Sequence, residues 1–300
     1  MRDEMTVQDD LVLPFAIGAT RLKGRLIRLG ALLDRIMGQH DYPEPVAKLL
    51  GEAIVSAAAL ARALKYDGNF TLQTKSDGPI RFLIADVTAG GDVRGYARYD
   101  GEKLARAASD RAPVPALIGS GHLAFTVDPG GDAERYQGLV ELQGATLADC
   151  VHHYFRQSEQ VEAGLKVAVA RGADGHWRGG GLMIERLPSE GWSREADDET
   201  WRNAMVLMAS CTSAELVDPA LAAERLLFRL FHEPGVRVQP ARALTPRCRC
   251  SRDRVERVLK ALPRADLDDM IVDGRITVTC EFCSTRYDFD EEARRVLAAP

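Results

Sequence analysis

The chain has 300 residues, 46% hydrophobic and 28% charged, with a formal net charge of −5. This is an ordinary globular composition with room for about two domains and a substantial core. The acidic balance argues against a partner held by phosphate neutralisation, and no run of about 18 apolar residues reads as a membrane span. Met1-Arg-Asp-Glu-Met5 leads into no apolar core of a secretory signal. Six cysteines, four of them clustered, fit metal or redox chemistry in a reducing cytoplasm better than a permanent disulfide framework.

Residues 7–30 mix apolar and polar positions, and Gly18, Gly24 and Gly30 read as turns. Helical character from Ala31 to Gln39 is interrupted by Pro43 and Pro45. A strong helix is predicted over 46–66, where Ala57, Ala58, Ala59, Ala61 and Ala63 favour it and Leu49, Leu50, Ile54, Leu60 and Leu64 give it an apolar stripe. Asp67-Gly68 ends it. Strands over 69–74 and 80–87 flank the turn Ser76-Asp77-Gly78-Pro79, and Gly90-Gly91-Asp92 leads into a strand over 93–99. Strands over 122–127 and 139–142 flank the turn-rich segment 128–132. Together they read as an antiparallel meander with the alanine-rich helix over one face.

Thr146, answered by Asp149, opens a helix to about Gln160. Strands over 165–170 and 182–187 pair through Asp174-Gly175. The polar, charged segment 188–200 reads as a linker. A helix over 199–217 carries Trp201, Met205, Met208 and Leu216. A second starts at Asp218-Pro219, carries Leu226, Leu227, Leu230 and Phe231, and stops at Pro234-Gly235. Core packing is the simplest role for these apolar side chains.

Cys248-Arg-Cys250 and Cys280-Glu-Phe-Cys283, separated by 29 residues, are the most informative feature. Two close thiol pairs can converge on one tetrahedral four-thiolate zinc site. Cys280 and Cys283 lie between strand-like runs 276–279 and 286–289, the outline of a zinc knuckle. Cys248 and Cys250 have Cα atoms at most about 7 Å apart, so they can chelate one ion if the backbone bends. Segment 251–273 holds a helix with Val255, Val258, Leu259 and Leu262 on one side. A module this small rarely draws more than about 3–5 kcal/mol from its core. Structural zinc supplies about 10–16 kcal/mol in finger peptides, so losing the metal should unfold the module. A static structural site is the plain alternative, but C-x-C is an uncommon half-site. The thiolates are also oxidisable, so the fold can follow the redox state.

Two other functions compete. A thiol-disulfide oxidoreductase using Cys280 and Cys283 needs its reactive cysteine at a helix N-terminus, whereas the residues after Cys283 read as strand. A nucleic-acid-binding zinc ribbon has Arg247, Arg249, Arg252, Arg254 and Arg257 in its favour and the acidic balance against it. Cys150 and Cys211 read as buried free thiols. His152-His153 lacks metalloprotease spacing, and Gly119-Ser-Gly121 is not a nucleophile elbow. Gly179-Gly-Gly181 lacks the lysine and hydroxyl of a phosphate loop and reads as a strand start or bulge. No residue is assigned a catalytic role.

On these residues the chain resembles the redox-regulated 33-kilodalton heat-shock chaperonin family of bacteria, over nearly its whole length. The most specific part is Cys248-Arg-Cys250-Ser-Arg-Asp-Arg254 followed by Cys280-Glu-Phe-Cys283, with Ala261-Leu-Pro263 between them. Tyr154-Phe-Arg-Gln-Ser-Glu-Gln160, Gly179-Gly-Gly-Leu-Met-Ile184, and Asp77-Gly-Pro79 with Arg94-Gly-Tyr96 are similar to family segments. The expected architecture is α+β. An N-terminal antiparallel β-sheet domain packed with helices spans 1–187, a charged helical linker 188–238, and a small four-cysteine zinc module 239–300.

The resemblance implies an ATP-independent holdase, not an enzyme. The reduced chain would hold one zinc ion on Cys248, Cys250, Cys280 and Cys283 and be inactive. Peroxide or hypochlorous acid, with unfolding stress, would form the disulfides Cys248–Cys250 and Cys280–Cys283 and expel the zinc. Module and linker would then lose structure, and the chain would dimerise and bind unfolding proteins. The expected setting is the cytoplasm, without nucleic-acid or membrane partners.

Overall fold

The computed structural model describes residues 9–61, 68–107, 113–131, 133–155, 162–187 and 194–290. Expectations for the end of the alanine-rich helix, for 156–160 and for the start of the linker lie outside those residues. The chain divides into two compact units, 1–246 and 247–300.

The first unit opens with strands β1 (Leu11–Ile17) and β2 (Leu22–Leu29), an antiparallel hairpin. This corrects the turn-rich reading of 7–30. Gly18 is a true turn, with φ of 52°, whereas Gly24 lies within β2, where a Cβ would sit 2.1 Å from the Phe15 ring. Helices α1 (Ala31–Met37) and α2 (Glu44–Ala61) follow. Strands β3 (Asn69–Ser76), β4 (Ile80–Thr88) and β5 (Asp92–Tyr99) form the expected meander. Two short helices absent from the sequence reading, α3 (Gly101–Ala107) and α4 (Val114–Ile118), then carry the chain back. As a result β6 (Gly121–Asp128) pairs with β3, not β5, and β7 (Tyr136–Glu141) pairs with β6.

Helix α5 (Leu147–Tyr154) starts on the expected capping box of Thr146 and Asp149. Strands β8 (Ala163–Arg171) and β9 (Trp177–Arg186) pair as expected. Helices α6 (Arg194–Ser210), α7 (Ser213–Val217) and α8 (Ala223–Phe231) precede the short strands β10 (Val236–Val238), β11 (Arg242–Ala243) and β12 (Thr245–Pro246). The predicted helix over 199–217 is therefore broken at Cys211 and Thr212, where Thr212 and Glu215 form a second capping box. The second helix starts at Ala223 rather than at Pro219. Asp218 instead closes a turn by accepting the Ala220 N–H.

These strands make two six-stranded sheets. The front sheet runs β10-β1-β2-β9-β8, with β11 also on β1, and the back sheet runs β12-β5-β4-β3-β6-β7. Helix α2 packs against strands of both sheets. Fourteen of its eighteen residues are buried, the pattern of a helix enclosed on all sides. Strand alternation sends the front sheet's side chains into two different cores. Val12, Ile27, Leu29 and Met183 face α2 and the back sheet. Leu11, Leu13, Phe15, Ile17, Leu22, Leu26, Leu182 and Ile184 face the opposite way, under α6–α8.

Gly179, Gly180 and Gly181 lie inside β9, which corrects the expectation of a strand start or bulge. Cβ atoms at 179 and 181 would meet Val55 of α2 at 2.8 and 2.6 Å, and one at 180 would lie 2.0 Å from the Leu216 carbonyl of α7. Helices thus approach this strand from both faces closely enough to exclude side chains.

The second unit contains α9 (Arg252–Lys260), α10 (Arg264–Asp269) and the three-stranded sheet β13 (Ile271–Val272), β14 (Arg275–Thr279) and β15 (Arg286–Phe289). Its buried apolar core is Leu259, Leu267, Ile276 and Phe289. Val255 and Leu262 pack on it, but Val258 is 60% exposed, contrary to expectation. The small sheet beneath α9 covers only a narrow stripe of the helix.

Candidate metal centre

β14 and β15 are joined by the turn that carries Cys280 and Cys283. The Cys280 N–H donates to the Thr285 carbonyl and the Ser284 N–H to the Cys280 carbonyl, both at 2.9 Å. Ser284 takes a left-handed φ of 54° to close the turn. Both sulfurs are thereby held at the hairpin tip. Cys248 and Cys250 lie just before α9, whose start is fixed by the Ser251 hydroxyl accepting the Arg254 N–H at 3.2 Å. Arg252 holds the same helix end to β15. Its guanidinium stacks on Phe289 at 4.5 Å and donates to the Asp288 carbonyl at 3.1 Å.

The four sulfurs meet, with all ligand atoms within 4.8 Å of one another. Cys248 and Cys280 sulfurs are 3.7 Å apart, and Cys250 and Cys283 sulfurs 3.3 Å. Metal–sulfur bonds of about 2.3 Å in a tetrahedron place sulfurs about 3.8 Å apart, so the donor set and its spacing suit zinc. Bound there, zinc would keep all four sulfurs as thiolates.

The electrostatics of the four thiols are unequal. Burial pushes Cys250 up to about 12, opposed by the hydroxyl of Tyr287 and reinforced by the neighbouring thiols. Burial also raises Cys280, against the N–H groups of Cys283 and Phe282. For Cys283 burial pulls the same way, but the hydroxyl and N–H of Thr285, with hydrogen bonds from the Cys250 and Cys248 thiols, outweigh it and bring the group down to about 7. Four half-buried sulfurs this close together resist ionising all at once without a cation, and a bound divalent ion removes that conflict.

The chain matches the family model described as Hsp33 protein over residues 10–290. It is 39% identical over 290 residues to the 33 kDa chaperonin of Caulobacter vibrioides, covering 95% of this chain and 96% of that protein. With the 33 kDa chaperonin of Azotobacter vinelandii it shares 38% over 284 residues, covering 94% and 92%. The chain belongs to the Hsp33 family. Its fold is similar to the crystal structure of the 33 kDa chaperonin from Thermotoga maritima, with a TM-score of 0.78, 22% identity and coverage of 96% and 97%. Membership of this chaperonin family supports a chaperone function and the binding of unfolded clients. It points away from catalysis.

Within this Hsp33 chain, Cys150 and Cys211 are buried free thiols and are not among the four clustered sulfurs. Burial pushes Cys150 up to about 11 and raises Cys211, so both are poor nucleophiles in the folded state. Cys280 and Cys283 sit in a strand–turn–strand, without the helix N-terminus that would activate an oxidoreductase cysteine. No helix among the described residues is long and apolar enough to cross a membrane.

Sequence reasoning missed Thr285 and Tyr287, whose hydroxyls reach Cys283 and Cys250. The available signal was strand alternation, which puts Tyr287 on the face of the buried Phe289. It also missed Arg28 and Asp197, whose burial depends on contacts remote in sequence.

Proposed function

We propose that the chain is a redox-controlled, ATP-independent holdase whose Cys248, Cys250, Cys280 and Cys283 bind one zinc ion when reduced. The observation that carries this reading is the convergence of four oxidisable sulfurs in a unit with only four buried apolar side chains among its described residues. Peroxide or hypochlorous acid oxidises the sulfurs to the disulfides Cys248–Cys250 and Cys280–Cys283. The ligand set is lost, the ion leaves, and so thin a core cannot hold its fold.

The segment 188–238 is read as the metastable linker between an N-terminal core, 1–187, and the redox module, 239–300. Its helices α6–α8 cover one apolar face of the front sheet. Their departure would bare Leu11, Leu13, Phe15, Leu26 and Ile184, a contiguous surface for unfolding proteins and for a second oxidised chain. The protein acts in the cytoplasm, without nucleic acid or membrane, and performs no catalysis.

The test compares the reduced, zinc-loaded protein with the peroxide-treated protein at elevated temperature. Zinc release is followed with a chromophoric chelator, and client aggregation by light scattering. Zinc loss together with suppressed aggregation is expected. Zinc loss without suppression would defeat the reading.

A further inference from the structure

Cys250 has a partner outside the cysteine motif. Tyr287 lies in the middle of β15, opposite Val278 on β14. Its ring packs on the cluster of Leu259, Ile276 and Phe289. Its hydroxyl donates to the Cys250 sulfur at 3.1 Å. The bond crosses from the hairpin that carries Cys280 and Cys283 to the segment that carries Cys248 and Cys250. Thr285, by contrast, reaches a sulfur of its own hairpin, Cys283, at 3.2 Å.

We propose that Tyr287 is a positioning residue that sets the rate at which Cys250 is oxidised, an inference that rests on the redox reading above. A hydroxyl bonded to a thiolate draws electron density from the sulfur, and such charge-assisted bonds are about twice as strong as neutral ones. A thiolate so held attacks more slowly, because nucleophilicity follows the electron density available at sulfur. The packed ring keeps the hydroxyl in place, so the restraint is lifted when β15 loosens. Tyr287 therefore ties the reactivity of the Cys248–Cys250 pair to the integrity of the hairpin.

The chemistry with hydrogen peroxide balances. The Cys250 thiolate bonds to one peroxide oxygen, the O–O bond breaks, and hydroxide leaves a sulfenic acid. The Cys248 thiolate then attacks that sulfur, the S–S bond forms, the S–O bond breaks, and a second hydroxide leaves. Two thiolates have supplied two electrons to one peroxide.

The experiment uses the reduced, zinc-loaded full chain and compares wild type with Tyr287→Phe, which keeps the ring and removes the donor. Zinc release is timed with peroxide and, separately, with a chelator alone, and the first oxidised cysteine is mapped by alkylation and mass spectrometry. The variant should release zinc with peroxide about three- to tenfold faster. Cys250 should oxidise earlier, while chelator-driven loss changes less than about twofold. A peroxide rate within twofold of wild type overturns the proposal, as does an equal acceleration of both rates, which would mean a purely structural role.

Should the phenylalanine variant fail to hold zinc, 3-fluorotyrosine at position 287 supplies the opposite change. It is a stronger donor in the same ring and should slow release by peroxide, and an unchanged or faster rate overturns the proposal. A wild-type chain that keeps its zinc under peroxide sinks the redox reading itself and this inference with it.

Discussion

The front sheet buries both of its faces, but under covers of different kinds. On the inner face lies α2, enclosed by two sheets, so it cannot leave unless the sheets part. On the outer face lie α6, α7 and α8, three helices held from one side, with Val206 and Phe228 turned outward at 68% and 64% exposure. Polar anchors hold down the outer cover. Buried Arg28 donates to the carbonyls of Glu215 and Leu221 at 3.0 Å and to that of Asp218, and Arg178 donates to the Val217 carbonyl at 3.2 Å. At the start of α6, Asp197 pairs with Arg21 and with Arg186, the latter at 2.6 Å. Met208, Leu216, Leu226, Leu227 and Phe231 of these helices are buried against the sheet as well, and a cover on one side of a sheet can open locally while the sheet beneath stays folded.

The metal should produce the largest contrast. If the proposed zinc is bound, stripping it with a chelator removes a contribution of about 10–16 kcal/mol, and Cys280→Ser, which deletes one of four ligands, removes part of it. Hydrogen exchange should then reveal loss of protection throughout α9, α10 and β13–β15. The amides of α2 and β3–β6 should stay protected.

Cavity substitutions sharpen the comparison between the two faces. Phe231→Ala, beneath the outer cover, should cost about 3–5 kcal/mol, and Leu50→Ala on α2 about 2–5 kcal/mol. The costs overlap, but their reach differs. Phe231→Ala should raise exchange in α6–α8 and the binding of a hydrophobic dye, leaving β3–β6 protected. Leu50→Ala should lower the unfolding midpoint of the whole first unit.

Acid and base should act on opposite faces. Burial raises Glu52 of α2 to about 7 from its ordinary 4.5. A raised folded value means that stability falls as pH climbs from about 4.5 through 7, by about 1–3 kcal/mol, and Glu52→Gln should flatten that slope. Asp197 is the reverse case. Burial alone would raise it, but the hydrogen bonds and charge of Arg186, with the charge of Arg21, bring it below its ordinary 3.8. Its contribution is therefore complete above that pH and is lost only as pH falls through the lowered folded value. Exchange in α6 should rise in that acid range in wild type and lose its pH dependence in Asp197→Asn.

The parts legible in the sequence were those written in local chemistry. Thr146 and Asp149 announce a capping box, Asp174-Gly175 announces a hairpin, and the four cysteines announce their meeting point. The rest depends on long-range packing. Gly24 looks like a turn until Phe15 is seen lying across it. Gly179–Gly181 are explained only by helices arriving from both sides. Asp218-Pro219 carries a good helix-start signal, but Asp218 closes a turn whose carbonyl is taken by Arg28. Tyr287 escaped because reading by motif stops at the cysteines, whereas its hydroxyl reaches a sulfur 37 positions earlier.

The two cores each contain one free thiol, Cys150 in the inner and Cys211 in the outer, exposed 1% and 0%. Mass spectrometry of their covalent modification, before and after peroxide treatment, therefore reports on both covers in one sample. Both should be protected in the reduced, zinc-loaded chain, and Cys211 alone should become reactive once Cys248, Cys250, Cys280 and Cys283 are oxidised. If Cys211 stays protected while zinc is lost, or both thiols open together, the outer helices are not the cover that the redox module releases.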